Sequence, residues 1–470
     1  MSGLRKGEIL EFEIADIAFG ARGVARTENF VWFIDRALPG QRVKARVCRI
    51  RKQYGEAVLQ EVVREAPDRV APPCPHFGTC GGCQMQHWAY PSQVAAKTRQ
   101  VEDILRRIGG FPGVDVRPTL PASEILGYRN KMEFTFSDRR WIPEGEDPEK
   151  PADFALGLHV PGRFDKVLDL DACLLQSDRA NQIFRHVREL TFRSGLPPYG
   201  QKSHDGFWRF LILREGRQTG DLMVNLITSG GFGDAGLEAV NRVAEALRAA
   251  FPEITTLVHG ITDSKGQVAR GESGRILWGS GNIREILYGM EFEVSSDAFF
   301  QTNTLQAEVL FDAIAGLSGF QGDEVLYDLY CGTGAIGIAL AGRVRRVLGV
   351  EAIPSAVANA RENAALNRLD NVDFVLADMK DALRDSDFVS TCGRPDVVII
   401  DPPRGGTHPK TIQDLLALGA PRLIYVSCNP PLLARDCQAL GERYRLDVVQ
   451  PVDMFPHTKH IEAVARFTLR

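Results

Sequence analysis

The chain has 470 residues, 44% of them apolar, and a formal net charge of −4, which excludes a disordered or strongly basic polymer and leaves room for about three domains. No apolar run reaches the roughly 18 residues of a membrane span, and residues 1–8 lack the apolar core of a leader, so a cytoplasmic protein with no membrane partner is expected. In that reducing setting the nine cysteines point to metal binding or catalysis rather than disulfides.

Residues 1–64 hold 12 Lys/Arg against 8 Asp/Glu. Period-2 stretches at 8–14, 30–34, 42–47 and 56–62, broken by Gly20, Gly23 and Gly40, predict a small β-barrel. Its basic excess suits either RNA contact or a solvated face. The cations Arg42, Lys44, Arg46, Arg49, Arg51 and Lys52 would meet phosphates, with Phe30, Trp32 and Tyr54 as stacking surfaces. Phe30 and Trp32 share a strand face, which also suits a barrel core.

Residues 65–90 are rich in Pro, Gly and Cys and predict a loop held by something other than a core. Cys74, Cys80 and Cys83, with Cys173 at a distance, supply four thiols; zinc and an iron–sulfur cluster both accept such a set. Cys48, Cys331, Cys392 and Cys437 read as packing residues. Val94, Val101, Ile104, Leu105 and Ile108 mark a helix over 92–108. Residues 115–290 mix strands and helices, with an acidic, Pro-rich surface loop at 143–153.

From 321 onward strands and helices alternate. Strand-like runs stand at 324–330, 345–350, 372–377, 396–400 and 422–427, and helical ones at 335–342, 354–369, 408–419 and 431–440. This is the pattern of βα units on a parallel sheet. Runs at 444–449 and 461–469 look like a closing antiparallel pair. Gly332-Thr-Gly334-Ala-Ile-Gly337 follows the first strand, and Glu351 ends the second, placed for a ribose diol. A nicotinamide enzyme and an S-adenosylmethionine enzyme would both use this arrangement. Asp378 suits an adenine amino group or a helix N-cap.

The fourth strand ends in Asp401-Pro-Pro-Arg404 and the fifth in Ser427-Cys428-Asn429-Pro430, so a carboxylate and a thiol share the carboxyl rim of the sheet, where open α/β folds bind ligands. An aromatic residue at 404 would suggest methylation of an exocyclic amine; arginine weakens that reading. Strand-end cysteines often serve as small hydrophobes, but the polar neighbours and two prolines favour a nucleophile. Carbon-5 of uracil is itself a poor nucleophile. Thiol addition at carbon-6 makes it enolate-like, and a base must later remove its proton. His457, His460 and Glu462 are the bases on offer. Glu462, among apolar neighbours, suits the task because burial raises a carboxylate's pKa.

These residues together resemble the RNA uracil-5-methyltransferases over nearly the whole chain. The resemblance implies an α/β, Rossmann-like, S-adenosylmethionine-dependent methyltransferase domain at 291–470. It implies an OB-like TRAM barrel for RNA binding at 1–64, and between them, at 65–290, a central α+β domain with an iron–sulfur loop. The helix near 92–110 is then expected to pack on the catalytic domain. Cys74, Cys80, Cys83 and Cys173 are implied as ligands of one 4Fe–4S cluster rather than of zinc. Phe299-Phe-Gln301-Thr-Asn303 matches an F-x-Q-x-N motif, which implies cofactor contact by Gln301. Tyr330, Glu351, Asp378 and Asp401 fall on S-adenosylmethionine-binding positions, Cys428 on the nucleophile and Glu462 on the base. The segment Phe455-Pro-His457-Thr-Lys-His460-Ile-Glu462 is similar to the motif F-P-x-T-x-H-V-E. Ala335 stands where the family often has a polar residue, so no side-chain contact is expected there. The implied substrate is a uridine in structured RNA, ribosomal 23S RNA ahead of tRNA, handled by a monomer. Two alternatives are a non-catalytic RNA-binding factor on the same fold and a dehydrogenase, in which nothing needs Cys428.

Overall fold

A computed structural model describes residues 5–27, 30–143, 145–147, 149, 151–379, 383 and 393–470. Cys392 and part of the acidic 143–153 loop lie outside the described residues. Among the described residues no helix is long and apolar enough to cross a membrane.

The alternation in the first 64 residues becomes six strands in one sheet, in the order Ile9–Glu13, Arg42–Ile50, Tyr54–Arg64, Phe30–Asp35, Arg22–Thr27 and Asp16–Ala18. Between the two edge strands, Ile14 N–H donates to Gln41 O and Ala15 N–H to Val24 O. The sheet thereby folds over one core of Phe12, Ile14, Trp32, Ile34, Val43 and Val47. Trp32 is 2% exposed and Phe30 is also buried. Both are core residues, which corrects their reading as stacking surfaces. A side chain at Gly55 would put its Cβ 2.3 Å from the Trp32 ring, so glycine there makes room for the indole. Tyr54 is half-buried, edge-on to Phe33 at 5.8 Å. Arg42, Lys44 and Arg49 already face Glu11, Glu61 and Glu56. Cys48 is half-buried rather than packed, its thiol directed at Arg46 O.

The segment after the barrel does own a small core, contrary to expectation. Met85 and Trp88 are buried with Ile17, Leu38, Ala66 and Ala96, which ties the cysteine loop to the barrel and to the helix that follows. Beyond it lies an eight-stranded mixed sheet, in the order Ser273–Trp278, Thr256–Ile261, Leu222–Thr228, Trp208–Glu215, Lys131–Ser137, Ala155–His159, Val167–Asp169 and Arg140–Trp141. The helices Asp178–Arg193 and Gly233–Ala250 bury Ile183, Phe184, Val187, Val240 and Val243 with this sheet's apolar residues. Such residues each contribute roughly 1.5–3 kcal/mol.

The C-terminal sheet runs in the order Val372–Leu376, Arg346–Glu351, Val325–Leu329, Val397–Ile400, Arg422–Ser427, Glu462–Leu469, Tyr444–Val452 and Asp115–Val116. The first five strands are parallel, and Glu462–Leu469 inserts antiparallel between its neighbours. All five expected strands and the closing pair are present, and so are the helices Ala335–Leu340, Pro354–Leu366, Pro409–Leu418 and Pro430–Leu440. The strand run of Val, Ile and Leu is continuous because both faces are covered. One face packs with the helix Thr304–Ser318 and the hairpin of Asn282–Leu287 and Met290–Ser295. The other packs with Val101 and Leu105, from the helix Tyr90–Ile104 and the π-turn Leu105–Gly109. Asp115–Val116 then extends the sheet beside Tyr444–Val452. The C-terminal sheet and its cover are therefore built from two separated stretches of chain.

Candidate active site

Strand order reverses between Val325–Leu329 and Val397–Ile400, and such a switch point opens a crevice at the carboxyl ends of the strands. Tyr330, Gly332 and Gly334 all have positive φ there, bending the chain sharply into the Ala335–Leu340 helix. At Gly334 the need for glycine is double, since a Cβ would also lie 2.5 Å from the Phe374 ring. Glu351 caps its own strand end, accepting from Ala352 and Ile353 N–H at 2.8 and 3.0 Å and from Gly332 N–H at 3.1 Å. This rigid carboxylate therefore ties the glycine loop to the second strand. Asp378 stands near enough to Tyr330 to add to the rise that burial gives its phenol. Gln301 is half-buried and lines the neighbouring cavity, while Asn303 rather than Gln301 caps the Thr304–Ser318 helix.

Asp328, buried on the first strand, accepts from Gly337 N–H at 2.9 Å. Burial pushes its carboxyl up to about 7, and its Oδ1 has no hydrogen-bond partner among the described residues. Asp401 stands on the next strand tip, and burial likewise pushes it up to about 7.

Cys428, Glu462, Asp401 and Arg404 form one electrostatic cluster. Burial pushes the Cys428 thiol up to about 11, the charges of Glu462 and Asp401 push the same way, and Arg404 opposes them. Burial raises Glu462 well above the usual carboxylate range, with Asp401 adding and Arg404 opposing. The structure thus brings together the thiol and the carboxylate expected from sequence. Arg404, read earlier only as a missing aromatic, is the cation of the cluster. Burial thus disfavours the charged form of both the thiol and Glu462, and the Arg404 charge opposes it at each.

The two histidines part company. His457 is buried at positive φ, its Nδ1 3.2 Å from Gln93 Nε2, and burial lowers it to about 4. Its carbonyl accepts from Gln84 and Met85 N–H at 2.9 and 3.0 Å. His460 faces the cavity beside Phe455, also lowered to about 4 by burial and by Arg404. The loop leading to Glu462 is further held by Lys97 Nζ on Asp453 Oδ1 at 2.6 Å, by Tyr128 OH on Pro456 O, and by Asn303 Nδ2 on Met454 O. Lys97 and Asp453 are both fully buried. Lys97, Asp453 and Tyr128 were not named from sequence; Asn303 was, as part of the F-x-Q-x-N match.

A cavity of about 420 Å³ is lined by Cys74, Cys80, Cys83 and Cys173 at one end and by Gln301, Arg404, Phe455 and His460 at the other. Arg129 stands between, its guanidinium 5.5 Å from the Phe455 ring centroid. Burial raises Cys80 to about 11 and Cys83 to about 12, with the neighbouring thiols adding. Among the described residues no three His, Cys, Asp or Glu side chains converge as a metal site. The four cysteines share a cavity wall without forming a closed ligand cage. Cys331 and Cys437 are buried in packing, as expected.

Comparison with known proteins places these features. A family model described as tRNA (uracil-5-)-methyltransferase matches residues 244–468, and a TRAM domain model matches residues 4–59. A protein of Chlorobaculum tepidum, named an uncharacterized RNA methyltransferase, is 42% identical over 98% of this chain and 97% of its own length. One of the same description from Nitratidesulfovibrio vulgaris is 39% identical over 99% and 97%. The structure of Pyrococcus abyssi tRNA (uracil-54, C5)-methyltransferase with S-adenosyl-L-homocysteine is similar with a TM-score of 0.74, at 28% identity, over 98% of this chain and 100% of that one.

Proposed function

The chain belongs to the RNA uracil-5-methyltransferase family, and on that premise we propose that it methylates carbon-5 of a uridine in structured RNA through a covalent adduct on Cys428. The carrying observation is the cluster of Cys428, Glu462, Asp401 and Arg404 at the ends of three adjacent strands. The enzyme is an S-adenosylmethionine-dependent methyltransferase. Gln301, Tyr330, Glu351, Asp378 and Asp401 would hold that cofactor along the switch-point crevice, where it supplies the methyl group.

Cys428 adds to uracil carbon-6, and its proton leaves to solvent or to a neighbouring carboxylate. Arg404, whose charge already acts on Cys428 and Glu462, would meet the negative charge that develops on the ring. Carbon-5, now nucleophilic, accepts the methyl group. Glu462, once it has given up its own proton to solvent, then takes the carbon-5 proton, and the bond from carbon-6 to sulfur breaks to release the thiolate. A carboxyl raised by burial is a stronger base when ionised, which suits a reluctant carbon acid.

Cys74, Cys80, Cys83 and Cys173 would be the thiolate donors of a 4Fe–4S cluster, a reading that rests on donor type and family resemblance, with all four lining one cavity. The cluster would staple the loop that grips His457 and so support the base from behind.

Ribosomal 23S RNA remains the proposed substrate from family resemblance. The second reading, tRNA, is favoured by the Pyrococcus abyssi neighbour. Mapping 5-methyluridine in both RNA pools, with and without the protein, separates the two. RNA carrying 5-fluorouridine at the target, which lacks the carbon-5 proton, should trap a denaturation-resistant protein–RNA adduct. No adduct with RNA that the protein otherwise methylates would defeat the covalent mechanism, and no methylation of any RNA would favour a non-catalytic RNA-binding factor.

A further inference from the structure

The turn between Ala155–His159 and Val167–Asp169 leads away from the cavity wall. Leu158 lines that cavity, and His159 O accepts from Gly81 N–H in the cysteine loop. A few residues on, Asp165 is 4% exposed in its side chain, and three cations from three segments surround it. Arg139 Nη1 is 4.0 Å away, Arg163 Nε 3.4 Å and Lys202 Nζ 2.6 Å. Each cation remains nearly half exposed. Asp138 packs beneath Gly200 and Ser203, next to Lys202. Even counting it, the cations outnumber the carboxylates. Phe164 stands 60% exposed beside them, 6.0 Å from Lys202 Nζ. A large exposed aromatic among surplus cations has no packing role here. It matches the recurring composition of a nucleic-acid surface, phosphate contacts plus a stacking face.

We propose that Arg139, Arg163 and Lys202, pre-set by Asp165 and flanked by Phe164, form an RNA-backbone contact on the central domain. It is separate from the barrel and holds the strand that enters the cavity. Residues 158–163 extend at most about 17 Å, so the contact serves nucleotides flanking the target. It would supply binding remote from the reacting ring, which offsets the few kcal/mol needed to unstack a uridine. The inference rests on the RNA-methylating reading above.

The test measures affinity of the full-length protein for a labelled hairpin RNA with uridines in its loop, across a salt series, with S-adenosylhomocysteine affinity as the folding control. Removing two phosphate contacts from a single strand should lower the salt slope by about 1.4. Arg163→Ala with Lys202→Ala should therefore bind roughly tenfold more weakly at low salt, with a shallower slope. Arg163→Lys with Lys202→Arg should keep the slope, and Phe164→Ala should weaken binding with the slope unchanged. An unaltered slope in the double alanine variant, while the wild type binds and methylates RNA, overturns the contact and leaves the function standing. A wild type that neither binds nor methylates RNA overturns both.

Discussion

The methyltransferase sheet and the cysteine loop before the Tyr90–Ile104 helix reach order by opposite routes. In the sheet, each strand tip is placed by its own buried strand, so Asp401 and Cys428 sit beside each other because Val397–Ile400 and Arg422–Ser427 pair in register. The cysteine loop has local turns, such as Phe77 N–H on Cys74 O and Cys80 N–H on His76 O, but these do not place it. Its shape comes from Met85 and Trp88 in a small shared core, from Gly81 on His159, and from Gln84 and Met85 on His457. The sheet positions Cys428, and the loop supports the segment that leads to Glu462.

This contrast can be broken first at the nucleophile. Cys428→Ala should abolish methylation and adduct while cofactor affinity and thermal stability persist, because the strand needs no thiol to pair. Surviving adduct would assign the thiol elsewhere. Glu462→Gln should lower turnover by about 10²–10⁴ and accumulate adduct on ordinary RNA, read on a denaturing gel. Fast turnover would move the base to His460, since His457 is turned into Gln93.

The next largest effect concerns stability. Lys97→Met leaves Asp453 buried and uncompensated, and should cost about 3–5 kcal/mol in denaturant unfolding. Pairing it with Asp453→Leu should recover much of that. If the recovered double variant also regains full turnover, the ion pair matters to folding alone; slow turnover at restored stability would make it a positioning device for Glu462.

Cys83→Ala should loosen the loop without touching the sheet. S-adenosylhomocysteine affinity should hold within about twofold while turnover falls several-fold, and any iron in anaerobically purified protein should drop. Zinc in colourless, fully active wild type would replace the proposed cluster.

The smallest effect is a pH dependence. Asp328 binds its proton more tightly folded, at about 7, than at its ordinary value of 3.8. Stability should therefore fall as pH rises between those values. Asp328→Asn should make melting temperature fall less steeply across that window, with Asp401 keeping its own share; an unchanged slope would mean that Asp328 is ionised in the native chain.

The alternating half of the chain was legible because strand period, length and polar tips are local properties. The Lys97–Asp453 and Gln93–His457 contacts were not, because their partners lie 356 and 364 residues apart. One local sign existed. Lys97 falls on the same helical stripe as Val94 and Val101, and a lysine in an apolar stripe implies a buried partner. Phe30 and Trp32 were open to two readings because a strand pattern says which residues share a face but not which side of that face is covered. The Asp165 cluster joins residues from three segments and leaves no spacing to read.

The clamp on His457 also has a temporal consequence. Lys459 N–H bonds to Gln84 Oε1 across 375 positions. At common synthesis rates the cysteine loop leaves the ribosome roughly 20–75 s before that partner exists. The cysteine loop and the segment leading to Glu462 therefore reach their shared hydrogen bonds only after Lys459 has been made.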